Sequence, residues 1–367
     1  MVLYLLTTLS LGCIFQLRYL SVLIRGCNID IYKYSKRSDH LLVEVQNYTT
    51  PLIVQRADPF IYKHTDGYYY FTASVPAYNL IEIRRAKTLN GLANAAPRTI
   101  WRKHPDGSGP MSQLIWAPEL HFINGKWFIY FAASHTKEFD YNGMFQHRMY
   151  CIECDNADPM RDESDWFEHG QIKTPLDTFS LDATVFEAQN KLYYVWAQKD
   201  PAIKGNSNIY IAEMANPWTL KTKPVLLTKP EYDWETKIFW VNEGPAILHR
   251  NGHFFLTYSA SATDENYAMG MLTVPDDVNL LDPNQWSKSK TPVFKSNMPI
   301  HQFGPGHNSF TIAEDGQTDI LVYHCRNYTN IKGDPLYDPN RHTVVQPFNW
   351  NENGTPNFGN PVPYNYK

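Results

Sequence analysis

An excess of positive charge is missing from this chain: 33 Lys and Arg face 37 Asp and Glu, a net charge of −4. Nucleic-acid binding favours a basic stripe, so a nucleic-acid partner is not expected. Charged residues of either sign make up only 19%, against 43% hydrophobic, a globular rather than a disordered composition. Cysteine is scarce too. Five is an odd number, which excludes a complete disulfide framework. Cys151 and Cys154 form one C-x-x-C with no second such pair and no His pair, so a zinc site lacks ligands. They read as strand thiols of a reducing compartment, and a cytoplasmic location is the expectation. GxxxxGK[ST], GxSxG and HExxH are absent, leaving phosphate-loop, serine-hydrolase and zinc-protease readings without support. No long segment repeats its apolar residues at 3.6, which removes extended helices and leaves an all-β chain.

The first 24 residues are apolar, but Met1-Val2-Leu3-Tyr4 offers no cationic start for a signal peptide. Arg18 interrupts any span long enough for a transmembrane helix. Residues 25–50 are mixed and aperiodic. Residues 1–50 are therefore read as an N-terminal extension, left by an upstream start codon or serving as a targeting segment. Secretion or membrane anchoring through residues 1–24 is the alternative to the cytoplasm, and no membrane contact is expected of the remainder.

What the chain has in abundance is aromatics, 14% of it, which suits strands and equally suits a sugar ligand with flat apolar faces. From about Thr50 onward, short aromatic and β-branched runs alternate with turns. Asp66-Gly67, Asn124-Gly125, Asn251-Gly252 and Asp315-Gly316 each precede such a run, and Asn190 opens another. These are hairpin signals. Aligned on the first aromatic or apolar residue after each turn, five copies place Asp58, Ala117, Asp182, Glu243 and His307 some 10 or 11 residues upstream of it. Successive anchors are 59, 65, 61 and 64 residues apart. Five units of that length, each of four strands and closing radially, make a five-bladed β-propeller spanning residues 51–367. Innermost strands start near a propeller's axis, so a residue just before each should face the axial cavity. Asp58, Asp182 and Glu243 then converge.

Two carboxyl groups across a sugar ring, one protonated and one ionised, are the equipment of glycoside hydrolysis. A third acid can hold the acid's pKa up by like-charge repulsion. Each acid taken singly would as readily cap a strand end. Their shared phase is what favours function.

The residues also carry a resemblance. Ala57-Asp58-Pro59, Ile115-Trp116-Ala117-Pro118-Glu119, Leu181-Asp182-Ala183, Asn242-Glu243-Gly244-Pro245 and Gly304-Pro305-Gly306-His307-Asn308 occur in the order found in glycoside hydrolase family 43. The chain resembles that family of inverting five-bladed propellers from about residue 51 to its end. The resemblance implies that Asp58 is the general base, Asp182 the pKa modulator and Glu243 the general acid. Inversion would set the base and acid roughly 6.5–9.5 Å apart. It further implies Trp116 as a wall of the sugar pocket, His307 at the position of a structural calcium ion or its water shell, and Arg326 as an arginine pairing with the modulating acid and a sugar hydroxyl. Imidazole is an unusual ligand for a hard cation, and a hydrogen-bonding role for His307 without metal is the alternative. No cofactor is required. The stretch Ser74–Ala86 is similar to exo-acting α-L-arabinofuranosidases. The expectation is an inverting exo-glycosidase releasing terminal α-L-arabinofuranose from arabino-oligosaccharides or from arabinan and arabinoxylan side chains. A β-1,4-xylosidase with the same trio, or a sugar-binding propeller without turnover, are the alternatives.

Overall fold

Runs such as Trp127-Phe128-Ile129-Tyr130-Phe131 are apolar at every position rather than at alternate ones, and the strands containing them are buried along nearly their whole length. A strand of that kind needs cover on both faces. In this computed structural model, which describes residues 48–365, neighbouring sheets supply it.

Five antiparallel sheets follow one another along the chain. Blade one comprises β1 (Ala57–Lys63), β2 (Tyr69–Ser74), β3 (Leu80–Ala86) and β4 (Arg98–Arg102), with a short helix α1 (Leu89–Asn94) before β4. Blade two comprises β5 (Gln113–Ile123), β6 (Lys126–Ser134), β7 (Arg148–Cys154) and β8 (Trp166–Gln171). Blade three holds β9 (Ser180–Ala188), β10 (Lys191–Gln198), β11 (Asn208–Asn216), β12 (Thr219–Leu220) and β13 (Val225–Thr228). Blade four holds β14 (Asn242–Arg250), β15 (His253–Ala260), β16 (Ala268–Pro275) and β17 (Ser287–Lys288). Blade five has β18 (Phe303–Ile312), β19 (Asp319–Arg326) and β20 (His342–Pro347), followed by a hairpin of β21 (Asn349–Trp350) and β22 (Pro356–Asn357). The architecture is the expected all-β, five-bladed propeller.

The count of four strands per blade holds in three blades. In blade five the segment before β1 stands in for the missing strand: Leu52 N–H donates to the Thr343 carbonyl at 2.8 Å and Thr343 N–H to the Ile53 carbonyl at 2.9 Å. That pairing ties the first described residues to the last blade and closes the ring. The expected extension over residues 1–50 lies outside the described residues except for Tyr48, Thr49 and Thr50, which bond to Glu314, Asn90 and Asn365.

The core is divided among the blade interfaces. Trp127 and Ile129 pack with Tyr70 and Ile81 between blades one and two. Tyr193, Trp196 and Leu256 belong to a larger cluster shared by blades two, three and four. Leu52, Phe71 and Val322 fill the closure between five and one, and Phe255, Met269 and Tyr323 fill that between four and five. Cys151 and Cys154 sit three apart on β7 and so point to opposite faces, each into a different cluster. The C-x-x-C is two buried strand thiols, as expected.

The turn signals act as read. Asn124-Gly125 and Asn251-Gly252 have positive φ at both residues and form two-residue links between β5 and β6 and between β14 and β15. Gln189-Asn190 makes the same turn without glycine.

Candidate active site

The first strand of every blade carries a residue with a left-handed backbone at an equivalent place. These are Asp58 (φ 55°), Ala117 (45°), Asp182 (51°), Gly244 (55°) and His307 (41°). The pairing of first strand to second slips at the same points. Each site is thus a β-bulge, a device that re-aims side chains at the cost of local strain. A non-glycine residue held this way costs on the order of 1–3 kcal/mol. The acids were expected just before the strands; they lie inside them, at the bulges.

Blade four corrects the expected phase. Its left-handed residue is Gly244, and Glu243 pairs opposite Ser259 as Ala57 does opposite Ser74. Glu243 therefore occupies the position of Ala57, Trp116, Leu181 and Gly306, one residue before the turn of the bulge. Both positions open onto the same cavity, because Trp116, Leu181 and Glu243 line it together with Asp58, Asp182 and His307. Glycine is favoured at 244 by more than φ: a Cβ there would stand 3.2 Å from Cγ and Nδ1 of His307.

The cavity holds about 240 Å³, at the small end for a ligand pocket. Asp58 lies on its floor, buried. Its Oδ2 accepts from the Ser74 hydroxyl at 2.6 Å, and its Oδ1 accepts from Arg341 Nη1 at 3.2 Å. The Nδ1 atoms of His307 and His324 each lie 3.4 Å from Oδ1. Burial alone would raise this carboxyl, but the Arg341 guanidinium, with His307 beside it, outweighs it and leaves Asp58 well below the usual carboxylate range. Asp182 is the opposite case. Its Oδ2 accepts from Gly244 N–H at 3.1 Å, yet burial and the charges of Glu243 and Asp58 drive its pKa well above the ordinary value. Glu243 accepts from the Tyr267 hydroxyl at 2.8 Å. Burial, with the Asp58 charge, pushes it up to about 7 against the opposing pull of Tyr267 and Arg341. Near neutral pH the cavity thus presents an ionised Asp58 beside an Asp182–Glu243 pair that retains a proton.

Asn242 fixes the approach to Glu243. Its side chain donates to Glu235 Oε1 at 3.1 Å and accepts from Thr228 at 3.1 Å, while its N–H donates to the Ser207 carbonyl at 3.1 Å. Glu235 is itself fully buried and held by Tyr258 at 2.8 Å and Lys288 at 2.9 Å. Trp116 forms one wall, its indole stacked on His147 at 3.7 Å between centroids.

Arg326 is placed differently from the expectation. It is buried, but its bonds do not go to Asp182. It donates to the carbonyls of Thr263 and Pro335 at 2.6 Å each and to Asp338 at 3.3 Å. It lies two residues beyond His324 on β19, roughly 6.6 Å farther along the strand, which takes it past the bulge. The arginine at the carboxylates is Arg341. It bonds Asp58 and, at 3.0 Å, the Tyr78 hydroxyl.

As for calcium, no group of three or more His, Cys, Asp or Glu among the described residues is arranged to hold a metal ion. His307 turns Nδ1 toward Asp58 and Asp182 rather than completing a cage of oxygen ligands. The donor set does not fit a hard cation.

The geometry can be set beside known proteins. The model of glycosyl hydrolases family 43 matches residues 48–356. The chain belongs to that family. It is 53% identical over 315 residues to an extracellular exo-α-(1→5)-L-arabinofuranosidase of Streptomyces avermitilis, covering 86% of this chain and 64% of the relative. It is 51% identical over 288 residues to an enzyme of the same description from Streptomyces chartreusis, covering 78% of this chain and 85% of the relative. A crystal structure of α-L-arabinofuranosidase from Lactobacillus brevis superposes with TM-score 0.87 at 89% identity, over 88% of this chain and 99% of that one. The chain spans about 64% of the length of the first of these relatives.

Within this family 43 chain, inspection of acids alone passed over four side chains at the site: Arg341, Ser74, Tyr267 and His324. Arg341 could have been found, since Arg341-His342-Thr343-Val344-Val345 has the same form as the acid sites, one charge before an apolar strand. Ser74, Tyr267 and His324 carry no such signal. Ser74 and His324 lie on second strands and Tyr267 just before a third; Ser74 and Tyr267 reach the acid of their own blade, and His324 reaches that of the neighbouring blade.

Proposed function

We propose that the chain is an inverting exo-acting glycoside hydrolase that releases terminal α-L-arabinofuranose. The observation that carries this reading is the opposed protonation of two buried carboxyls in one cavity, Asp58 ionised and Glu243 protonated up to about pH 7. That division of labour is what single-displacement glycoside hydrolysis needs. Asp58 takes a proton from a water whose oxygen attacks the anomeric carbon. As the glycosidic bond breaks, Glu243 gives its proton to the departing oxygen. One glycoside and one water become a sugar of inverted configuration and an alcohol, with Asp58 protonated and Glu243 ionised until solvent resets them. Asp182 has its own pKa raised by burial and by the Glu243 and Asp58 charges, so the Asp182–Glu243 pair retains a proton. Trp116 and His307 line the space left for the sugar, and Arg341 holds Asp58 ionised.

The cavity volume suits one sugar unit, which supports exo action on an oligosaccharide or a side chain. The relatives' names support arabinofuranose over xylose as that unit. Two of those names include "extracellular", which favours the secreted alternative over the cytoplasmic expectation; the segment that would direct it, residues 1–24, lies outside the described residues.

Proton NMR of the protein with arabino-oligosaccharides and with xylo-oligosaccharides tests the reading. Arabinose appearing first as the inverted anomer is expected. Xylose release moves the substrate to the β-xylosidase alternative, and the retained anomer overturns the mechanism. Glu243→Ala should abolish turnover, on the order of 10³-fold or more, while leaving the circular dichroism spectrum unchanged. Sugar binding without release by the wild-type protein would mark a lectin instead.

A further inference from the structure

Three of the five bulges are latched to the preceding blade by a repeated bond. Ala117 N–H of blade two donates to Ser74 Oγ of blade one at 2.8 Å. His307 N–H of blade five donates to Ser259 Oγ of blade four at 2.7 Å. Asp58 N–H of blade one donates to His324 Nδ1 of blade five at 3.1 Å. Ser74, Ser259 and His324 are equivalent, each paired on the second strand opposite the residue before its own blade's bulge. In blades two and three the same place is held by Ala132 and Ala197, which have no acceptor. The bulge after blade three is latched instead by Asp182, which accepts from Gly244 N–H.

Ser74 differs from Ser259 in a way that bears on chemistry. Its oxygen accepts from Ala117 N–H, so its own O–H is left to point elsewhere, and it lies 2.6 Å from Asp58 Oδ2. A hydroxyl bonded to a carboxylate at that distance is a charge-assisted hydrogen bond. We propose that Ser74 is a positioning residue of the general base: its hydroxyl, oriented by the backbone of the next blade, fixes the rotation of the Asp58 carboxylate toward the attacking water. Oδ1 is occupied by Arg341 and flanked by the two imidazoles. Oδ2 has two acceptor sites, and Ser74 takes one, leaving the other for water. Without Ser74 the carboxylate keeps its charge partner on one oxygen and loses the bond that sets its second.

This assignment rests on Asp58 being the base, and the experiment separates the two. Steady-state kinetics on an aryl α-L-arabinofuranoside are measured for the wild-type chain and for Ser74→Ala, Ser74→Thr, Ser259→Ala and Asp58→Ala, each with a thermal melt. A base displaced by about an ångström loses on the order of 10–100-fold. Ser74→Ala is expected to lose that much in kcat with KM held within about threefold, the signature of an interaction serving the transition state. Ser74→Thr, which keeps the hydroxyl, should recover most of the loss. Ser259→Ala removes the same kind of backbone latch without a carboxylate contact, so a purely structural Ser74 would give both alanine variants the same kcat. That equality, or failure of Thr to recover activity in a folded variant, overturns the proposal. Should Ser74→Ala not fold, Ser74→Cys fills the space with a weak donor and must show the same kcat loss. Turnover retained in Asp58→Ala removes the base itself, whatever Ser74 does.

Discussion

Tyr267 shows how one hydroxyl sets the range over which the acid works. It is fully buried, stacked on His324 at 5.7 Å, and its hydroxyl donates to Glu243. A donor to the carboxylate stabilises the charged form, so Tyr267 holds the Glu243 pKa down while burial raises it. The acid must be protonated to act, so kcat/KM should be flat on the acid side and fall as pH rises through about 7. In Tyr267→Phe the pKa of Glu243 rises further, and the basic limb should move to higher pH; a pH–rate profile on an aryl glycoside measures it. A limb unmoved or shifted down would show that Tyr267 does not govern the acid. At this scale the sequence was readable where a charge stood alone before an apolar run, as at Asp58, Asp182 and Glu243. It was unreadable where a neutral side chain or a histidine reached the site from the next strand or the next blade.

The bulge is the element that turns a strand into part of a site. At least one of the two successive residues at each bulge reaches the cavity, and in blade three both do, because the chain bends left-handed between its pairings. The count alone left the phase of blade four open: Gly244 precedes Phe254 by the 10 residues found in blades one to three, while Glu243 precedes it by 11, as His307 precedes Thr318 in blade five. Choosing the acid over the glycine shifted the alignment by one. Gly244→Ala would place a side chain at φ 55° and 3.2 Å from the His307 ring. Urea unfolding should show a loss of roughly 1–3 kcal/mol, and kcat should fall with it because the Asp182 latch and the Glu243 backbone move together. A variant as stable as wild type would mean the bulge tolerates a Cβ.

Across the whole molecule, the ring is closed by the short pairing of Leu52 and Ile53 with Thr343, not by a full strand. Its side chains supply much of the closure: Leu52 packs with Phe71, Ile320 and Val345 across blades one and five. Leu52→Ala leaves the backbone pairing possible but opens a cavity in that interface, and should cost about 2–5 kcal/mol in urea unfolding. Asp58 follows directly on this segment and takes its Arg341, His307 and His324 partners from blade five. Thermal loss of the closure should therefore abolish activity before the remaining blades unfold, which activity and circular dichroism followed in parallel through a melt would resolve.

By itself the sequence determined the local chemistry and its repetition. Alternation of apolar runs with turn pairs fixes strands, the spacing near sixty fixes five blades, and lone acids near the starts of inner strands mark the trio. These are short-range patterns, and short-range patterns survive in one dimension. Tertiary structure alone decided which side chains serve the acids. Arg341 rather than Arg326 meets Asp58 because the bulge and the final loop of blade five set the reach of each guanidinium. Ser74 meets Asp58 within its own hairpin, but only the neighbouring blade's Ala117 N–H orients its hydroxyl. The protonation of the trio is likewise a property of the closed ring, since desolvation and the charges of other blades, absent from any single segment, separate Asp58 from Glu243.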